Sequence, residues 1–162
     1  MRRPVYDRVL CLSPFAEVAE RLTGDPASWL PGPATADEGG GFVVSMRPAG
    51  LPAPLVVAVD ALVDVGPPSA DTIDHGLVVR SIAWRARTID RAFPRLVGEL
   101  ELTPFGESAC QLRLVGGYEP PVSVAGDVAD RLVGRHVAEA VVRTFLEDVA
   151  EHLAALADHR AP

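Results

Sequence analysis

The sequence of 162 residues predicts an α+β fold in which antiparallel strands are followed by one long C-terminal helix. Apolar and polar residues alternate in Leu96–Thr103 and Ala109–Tyr118, a pattern typical of antiparallel strands with one covered and one solvent-exposed face. From about Asp127 to Ala157, charged residues recur at every fourth position, which is the spacing of one face of a helix.

The N-terminal part predicts a strand and then two short helices. Val5–Leu12 is the first strand. In the segment SPFAEVAERLTGDPASWL, the first helix is indicated by apolar residues spaced for one helical face, namely Phe15, Val18, Ala19 and Leu22. Gly24 ends this helix, and Asp25-Pro26 starts a shorter one that carries Trp29.

The middle of the chain predicts further strands, separated by turns rich in glycine and proline. They are Phe42–Arg47, Leu55–Val65, Leu77–Arg87, Leu96–Thr103 and Ala109–Tyr118. The segment Pro31–Gly41 before them reads as a turn-rich loop. The last strand ends in GGYEPP, where Gly116 and Gly117 allow it to bend or to approach another backbone closely.

The long helix predicts one charged and two apolar surfaces. The charged stripe consists of Arg131, Arg135, Glu139, Arg143 and Glu147. The opposite side, which we expect to lie on the sheet, contains Val133, Val137, Ala140, Val141, Thr144 and Phe145. A second apolar seam contains Val142, Leu146, Val149 and Leu153. An exposed seam of this kind is typical of an interface, so we expect a homodimer through it unless the N-terminal helices cover it.

Composition limits the classes of function. The net charge of −7 argues against a nucleic-acid partner. All 15 basic residues are arginine, which we interpret as the codon usage of a GC-rich bacterial genome and which excludes a lysine Schiff base. No apolar run approaches the roughly 18 residues of a membrane span, and Asp7 and Arg8 interrupt the N-terminal apolar stretch, so we expect a cytoplasmic protein. We expect no metal and no cofactor. Cys11 and Cys110 are expected to be free, buried thiols.

Two segments resemble the START-like superfamily, also called SRPBCC, which includes polyketide cyclases and plant allergens. They are SPFAEVAERLTGDPASWL and FPRLVGELELTPFGESACQLRLVGGYEPP, the second taken together with the final helix. The resemblance implies one domain over residues 1–162 with the helix-grip fold. In this fold a curved antiparallel sheet of six or seven strands wraps around the C-terminal helix, and two short helices follow the first strand. We count six strands, so Leu55–Val65 is our candidate for a break into two. The resemblance also makes the first and last strands neighbours, which places Cys11 near Cys110.

A hydrophobic pocket between sheet and helix is the main functional implication of the resemblance. If the apolar side of each strand faces inward, the pocket is lined by Phe42, Val44, Met46, Arg80, Ile82, Trp84, Leu100, Leu112, Tyr118, Val137, Ala140, Val141, Thr144 and Phe145. The alternative is that these side chains fill one another's gaps as an ordinary core.

Polar residues with access to such a pocket are few: Arg80, Tyr118, His136 and Asp148. Arg80 either binds an anionic ligand group, pairs with a protein acid, or is turned outward by a bulge, because a buried guanidinium is costly unless it is paired. Tyr118 is a rim or a structural residue, and His136 a flanking residue or a general base. Asp148 is a pocket acid or a solvated one.

Three classes of function fit these observations. The first is a protein that binds a small hydrophobic molecule, either lipid-like or aromatic and polyketide-like. The second is a cyclase, aromatase or dehydratase that uses the same cavity without a metal. The third is a protein-interaction module. We assign no catalytic residues, because the sequence contains no nucleophile–base pair and no pair of carboxylates at a spacing characteristic of an active site.

Overall fold

The computed structural model describes residues 2–47, 49–50, 58–69, 76–88, 93–120 and 128–158, and within the last range the side chains of residues 134–154. In chain order the elements are strand β1 (Arg3–Cys11), helix α1 (Phe15–Leu22), a 3₁₀ helix (Pro26–Ser28), strands β2 (Thr35–Ala36), β3 (Phe42–Met46), β4 (Val59–Pro68), β5 (Val78–Ala86), β6 (Arg95–Pro104) and β7 (Cys110–Glu119), and helix α2 (Val128–Asp158). The predicted α+β order is confirmed, including both short helices after the first strand.

The strands form a single seven-stranded antiparallel sheet in the order β1-β7-β6-β5-β4-β3-β2. Every neighbouring pair except β1 and β7 is consecutive in the chain, so most of the sheet is built from hairpins. Cys11 lies directly opposite Cys110 in the register of β1 and β7, and both are buried free thiols. The predicted proximity of the two cysteines is therefore confirmed.

The seventh strand is not where the sequence placed it. It is the short β2, which pairs with β3 inside the segment Pro31–Gly41 that we interpreted as a loop. The predicted break within Leu55–Val65 is wrong for the part of it that the structure describes, because β4 is a single strand that continues to Pro68. A shift of register between Val65 and Pro68 lets the strand accommodate its glycine and prolines.

A pair of facing glycines lies in the middle of β6 and β7. Gly98 is directly opposite Gly116, and a Cβ built on Gly98 would lie 2.6 Å from the Val115 carbonyl oxygen and 3.0 Å from the Gly116 Cα. Only residues without a Cβ permit this approach, because real Cβ contacts are longer. Gly117, by contrast, has no contact shorter than 3.4 Å at its Cβ position. Of the two glycines in GGYEPP, the first is the one that the sheet requires.

The core lies between the sheet and α2, which packs against β1, β7 and α1. The second apolar seam of α2 is part of this core, since its residues are at most 1% exposed: Val142, Leu146, Val149 and Leu153. Our interpretation of the seam as the surface of a homodimer is therefore wrong. The Arg21 side chain of α1 also donates a hydrogen bond to the Leu153 carbonyl of α2. The N-terminal elements cover the seam, as in the alternative.

From Arg135 onward, the charged stripe of α2 is exposed and faces away from the core. Arg135 forms an ion pair with Glu139 at 2.7 Å, and Arg143 reaches Asp7 of β1 at 2.9 Å. Among the helices in the described ranges, none combines the length and the apolar character that crossing a membrane requires.

Candidate ligand site between the sheet and the C-terminal helix

One row of inward-facing residues runs across the sheet, from β3 to β7. We call it the aromatic row, and the strand registers align its members as Phe42, Val63, Trp84, Leu96 and Tyr118. Phe42 is half-buried and the others are buried. The side chains share one face because each strand contributes the residue of the same pleat. The row therefore provides a largely aromatic floor on the side of the sheet that faces α2.

Trp84 is the central residue of the aromatic row. Its ring lies 5.0 Å from that of Phe145 on α2, with the two planes inclined at 50°. Trp84 is 2% exposed, and its indole Nε1–H is buried without a hydrogen-bond acceptor in the part of the chain that the structure describes. A buried donor with no partner costs about 1–3 kcal/mol, and such groups are rare in folded proteins. This N–H is thus available to an acceptor that is not part of the described residues.

Arg80 faces the same interior nearer to α1, and its hydrogen-bond partners among the described residues are backbone carbonyls. Nη1 donates to the carbonyls of Leu22 and Gly24 at 2.8 Å each, and Nε donates to the Gly66 carbonyl at 2.9 Å. The guanidinium also lies 5.7 Å from the Trp29 ring centroid. Burial lowers the pKa of Arg80, and the charge of Asp25 acts in the opposite direction.

Arg80 therefore joins the C-terminal end of α1 to the irregular end of β4. The alternative in which a bulge turns it outward is wrong, since the residue is 5% exposed. The described bonds of Nε and Nη1 go to carbonyl oxygens and not to a carboxylate. Carbonyls at the end of a helix lack intrahelical donors, which explains why a buried cation is stable here.

A narrow cleft opens beside Phe145, between α2 and the end of β3. It has a volume of about 10 Å³ and is lined by Pro31, Met46, Arg47, Val141, Thr144, Phe145 and Asp148. This is room for about one water molecule. The Thr144 hydroxyl oxygen accepts a hydrogen bond of 3.0 Å from the Ala49 amide, which ties the chain after β3 to the helix at this point.

Asp148 is the acidic group of this cleft and is half-buried. Burial raises the pKa of Asp148; the nearby His152 lowers it, and the charges of Glu151 and Glu147 raise it. The carboxyl thus retains its proton to a higher pH than an exposed aspartate does. In this position it can donate or accept a proton at the mouth of the cleft.

The structure brings most of the predicted pocket residues together on the interior of the fold. The buried ones are Val44, Met46, Arg80, Ile82, Trp84, Leu100, Leu112, Tyr118, Val141 and Phe145. The half-buried ones are Phe42, Val137, Ala140 and Thr144. Most of the apolar ones belong to the same core cluster as Leu22, Trp29 and Leu30, and the cleft lies beside the middle of α2, at Val141, Thr144, Phe145 and Asp148.

The polar candidates separate clearly. His136 is on the outside of α2, where its side chain is 69% exposed and lies 3.8 Å from Glu139. It does not reach the interior. Tyr118 is 2% exposed within the aromatic row, and Asp148 lies at the cleft, so these two remain candidates for ligand contact.

Two residues of the cleft were missed by the sequence reasoning. Pro31 and Arg47 line it, although both were assigned to turn or strand-end positions. The sequence feature that could have identified them is their position next to buried residues: Pro31 follows Trp29 and Leu30, and Arg47 follows Met46. Among the described residues, no group of three His, Cys, Asp or Glu side chains is arranged to hold a metal ion.

Comparisons with known proteins give structural matches only. No family model matches the sequence, and no curated protein matches it. Among solved structures, a START superfamily protein from Mycobacterium smegmatis is similar with a TM-score of 0.53 and 13% identity, covering 99% of this chain and 100% of that one. The Zhui aromatase/cyclase from Streptomyces sp. R1128 is similar with a TM-score of 0.54 and 17% identity, covering 99% and 96%. Norcoclaurine synthase from Thalictrum flavum has a TM-score of 0.54 and 9% identity, covering 99% and 88%. Likeness over nearly whole chains at such low identity concerns the fold, and the chain has the helix-grip fold of the START-like superfamily.

Proposed function

We propose that the chain is one domain that binds a small hydrophobic, aromatic molecule between its sheet and α2, and that it does so in the cytoplasm. The observation that carries this proposal is the buried Trp84 N–H, which lies beside the Phe145 ring and has no acceptor within the described part of the chain. Ligand sites are mostly apolar with a few polar groups that fix orientation. The aromatic row provides the apolar surface, and the indole N–H provides a directional donor.

The chemistry of the site favours a neutral acceptor on the ligand, such as a ketone, ester or quinone oxygen. An indole N–H only donates and carries no charge. Arg80, the one buried cation among the described residues, is engaged with protein carbonyls, so we assign it to the fold and not to an anionic ligand group. The cleft beside Phe145 holds about one water molecule, so a flat aromatic ligand must displace the Phe145 ring and take over its tilted contact with Trp84.

The experiment uses a matched pair of probes, 9-fluorenone and fluorene, which differ by a carbonyl in place of a methylene. We expect the wild type to bind both and to prefer the ketone, measured by titration calorimetry. In Trp84→Phe the preference should fall about fivefold to tenfold, the contribution of one hydrogen bond of about 1 kcal/mol. Fluorene affinity should change little.

The chain provides its own control, because Trp29 and Trp84 are its only tryptophans and each has a buried Nε1–H without an acceptor among the described residues. Trp29→Phe should retain the preference for the ketone, and its remaining fluorescence from Trp84 should be quenched by the ketone. If neither probe binds to the wild type, an aromatic-ligand function is refuted. If both probes bind equally well, only the role of the Trp84 N–H is refuted.

A catalytic use of the same interior is the second candidate, and the protonation behaviour of Asp148 favours it. A carboxyl whose pKa is raised by burial at the mouth of the site is suited to general acid–base catalysis, as in a cyclase, aromatase or dehydratase. Native mass spectrometry of the protein from its own host identifies a molecule that the protein retains. A carrier leaves that molecule unchanged, whereas an enzyme converts it when it is added as substrate. The protein-interaction function loses its support with the burial of the α2 seam.

A further inference from the structure

The two cysteines form a facing pair at the end of β1 and β7. Cys11 and Cys110 are direct partners in the antiparallel register and are 2% and 0% exposed. Facing residues on antiparallel strands have Cα atoms about 4.5–5.5 Å apart. A disulfide requires a Cα separation of about 4.4–6.8 Å. The pair is therefore within bonding range without a rearrangement of the sheet.

An open surface cleft borders Cys11 of this pair. It lies between the end of β1 and α2, has a volume of about 300 Å³, and is lined by Val9, Leu10, Cys11, Leu12, Glu147, Ala150, Glu151 and Ala154. Cys11 is part of its wall and Cys110 is not. The volume is that of a small-molecule site. The lining is mostly aliphatic, and its charged members are both acidic.

We infer that Cys11 and Cys110 are a redox-active dithiol, which a neutral organic hydroperoxide entering this cleft converts to a disulfide between β1 and β7. The aliphatic lining suits the organic part of the oxidant. Glu147 and Glu151 disfavour an anionic oxidant such as oxidised glutathione, because like charges repel at this short range.

The reaction has two balanced steps. The Cys11 sulfur attacks the hydroperoxide, so an S–O bond forms, the O–O bond breaks, and the alcohol leaves with the thiol proton. The Cys110 sulfur then attacks the Cys11 sulfenic acid, the S–S bond forms, and water leaves. Two thiols are oxidised by two electrons in total, and one hydroperoxide is reduced to an alcohol and water.

Cys11 is the thiol that reacts first. It borders the cleft, and the hydrogen bond from Cys110 lowers the pKa of Cys11, although burial acts against this. The same hydrogen bond raises the pKa of Cys110, together with burial and the charge of Cys11. Thiolate character governs nucleophilic reactivity, so Cys110 is suited to the resolving role.

The test treats the folded protein with tert-butyl hydroperoxide, blocks remaining thiols with N-ethylmaleimide during unfolding, and maps peptides without reductant. We expect a linked Cys11–Cys110 peptide as the main product, reversed by dithiothreitol, and formation at least tenfold slower with oxidised glutathione at equal concentration. Two thiols still free for alkylation would overturn the inference. Equal rates with both oxidants would overturn the route through the acidic cleft.

Single variants separate this chemistry from a purely structural pair. Cys110→Ser should accumulate the sulfenic acid of Cys11, trapped with dimedone, whereas Cys11→Ser should leave Cys110 unmodified. Faster oxidation of Cys110 than of Cys11 would overturn the order of attack. Circular dichroism checks that each variant folds, and Cys11→Ala and Cys110→Ala replace any serine variant that does not.

Discussion

Replacing Arg80 by methionine tests whether a buried cation holds the two ends of the interior together. The Arg80 side chain donates to the Leu22 carbonyl at the end of α1, to the Gly24 carbonyl just after it, and to the Gly66 carbonyl of β4. Methionine retains an unbranched apolar stem but removes every donor. The three carbonyls then lose this partner, and the contact between the guanidinium and Trp29 is also lost.

The magnitude follows from opposing contributions. Three hydrogen bonds from a charged donor contribute about 1.5 kcal/mol each at the low end of the range, or about 4–5 kcal/mol together. The cation–π contact adds about 1 kcal/mol. Removing a buried charge offsets about 2–3 kcal/mol of this loss of stability, because the charge no longer has to be desolvated on folding. We expect Arg80→Met to lower the free energy of unfolding by about 2–4 kcal/mol.

Urea unfolding followed by circular dichroism measures this change, with Arg85→Met as the matched control. Arg85 lies on the same strand with an exposed side chain, so its replacement should change stability by less than about 0.5 kcal/mol. Arg80→Lys should also be destabilised, because one ammonium cannot reproduce the planar set of guanidinium donors. If Arg80→Met is as stable as the wild type, the carbonyl contacts do not hold this end of the fold.

Two further predictions concern the sheet and the cleft. Gly98→Ala should lower the free energy of unfolding by about 2 kcal/mol or more, because its Cβ would meet the Val115 carbonyl oxygen at 2.6 Å and only backbone movement relieves that contact. The control, Gly117→Ala, should lower it by less than about 1 kcal/mol. Equal urea midpoints for the two variants would contradict the close approach of Gly98 to Gly116. Asp148→Asn should raise the melting temperature at pH 7 but not at pH 3. The raised pKa of Asp148 means that the folded state binds more protons than the unfolded state above about pH 4, so ionisation costs stability as the pH rises. A variant that is less stable than the wild type at pH 7 would contradict this sign.

Local patterns were sufficient for most of the architecture. Apolar residues alternate along β6 and β7 and follow helical spacing in α1 and α2. These patterns show which face of each element is buried, and they can be recognised in the sequence without knowledge of the tertiary structure. The strand Thr35–Ala36 was missed, because a two-residue strand has no period of its own and exists only through its pairing with β3.

The assignment of faces on α2 shows where sequence reasoning ends. The pattern identified an apolar seam at Leu146 and its neighbours, but the covering elements, β1 and α1, are distant in the chain. A hydrophobic seam has the same appearance in sequence whether its partner is the same chain or a second copy. Tertiary packing decided this in favour of the same chain, with Leu146 at 0% exposure.

The sequence by itself predicted the fold class, the order of the long elements and the inward side of most long strands, and the family resemblance added the proximity of Cys11 to Cys110. The tertiary structure decided what the inward polar groups do. Arg80 contacts carbonyls of segments far from it in the chain, and the Trp84 N–H has no acceptor among the described residues, because hydrogen bonding depends on distances between non-adjacent elements. The type of a residue and its position in the alternating pattern predict that it faces inward. Only the tertiary structure shows which atoms it contacts there.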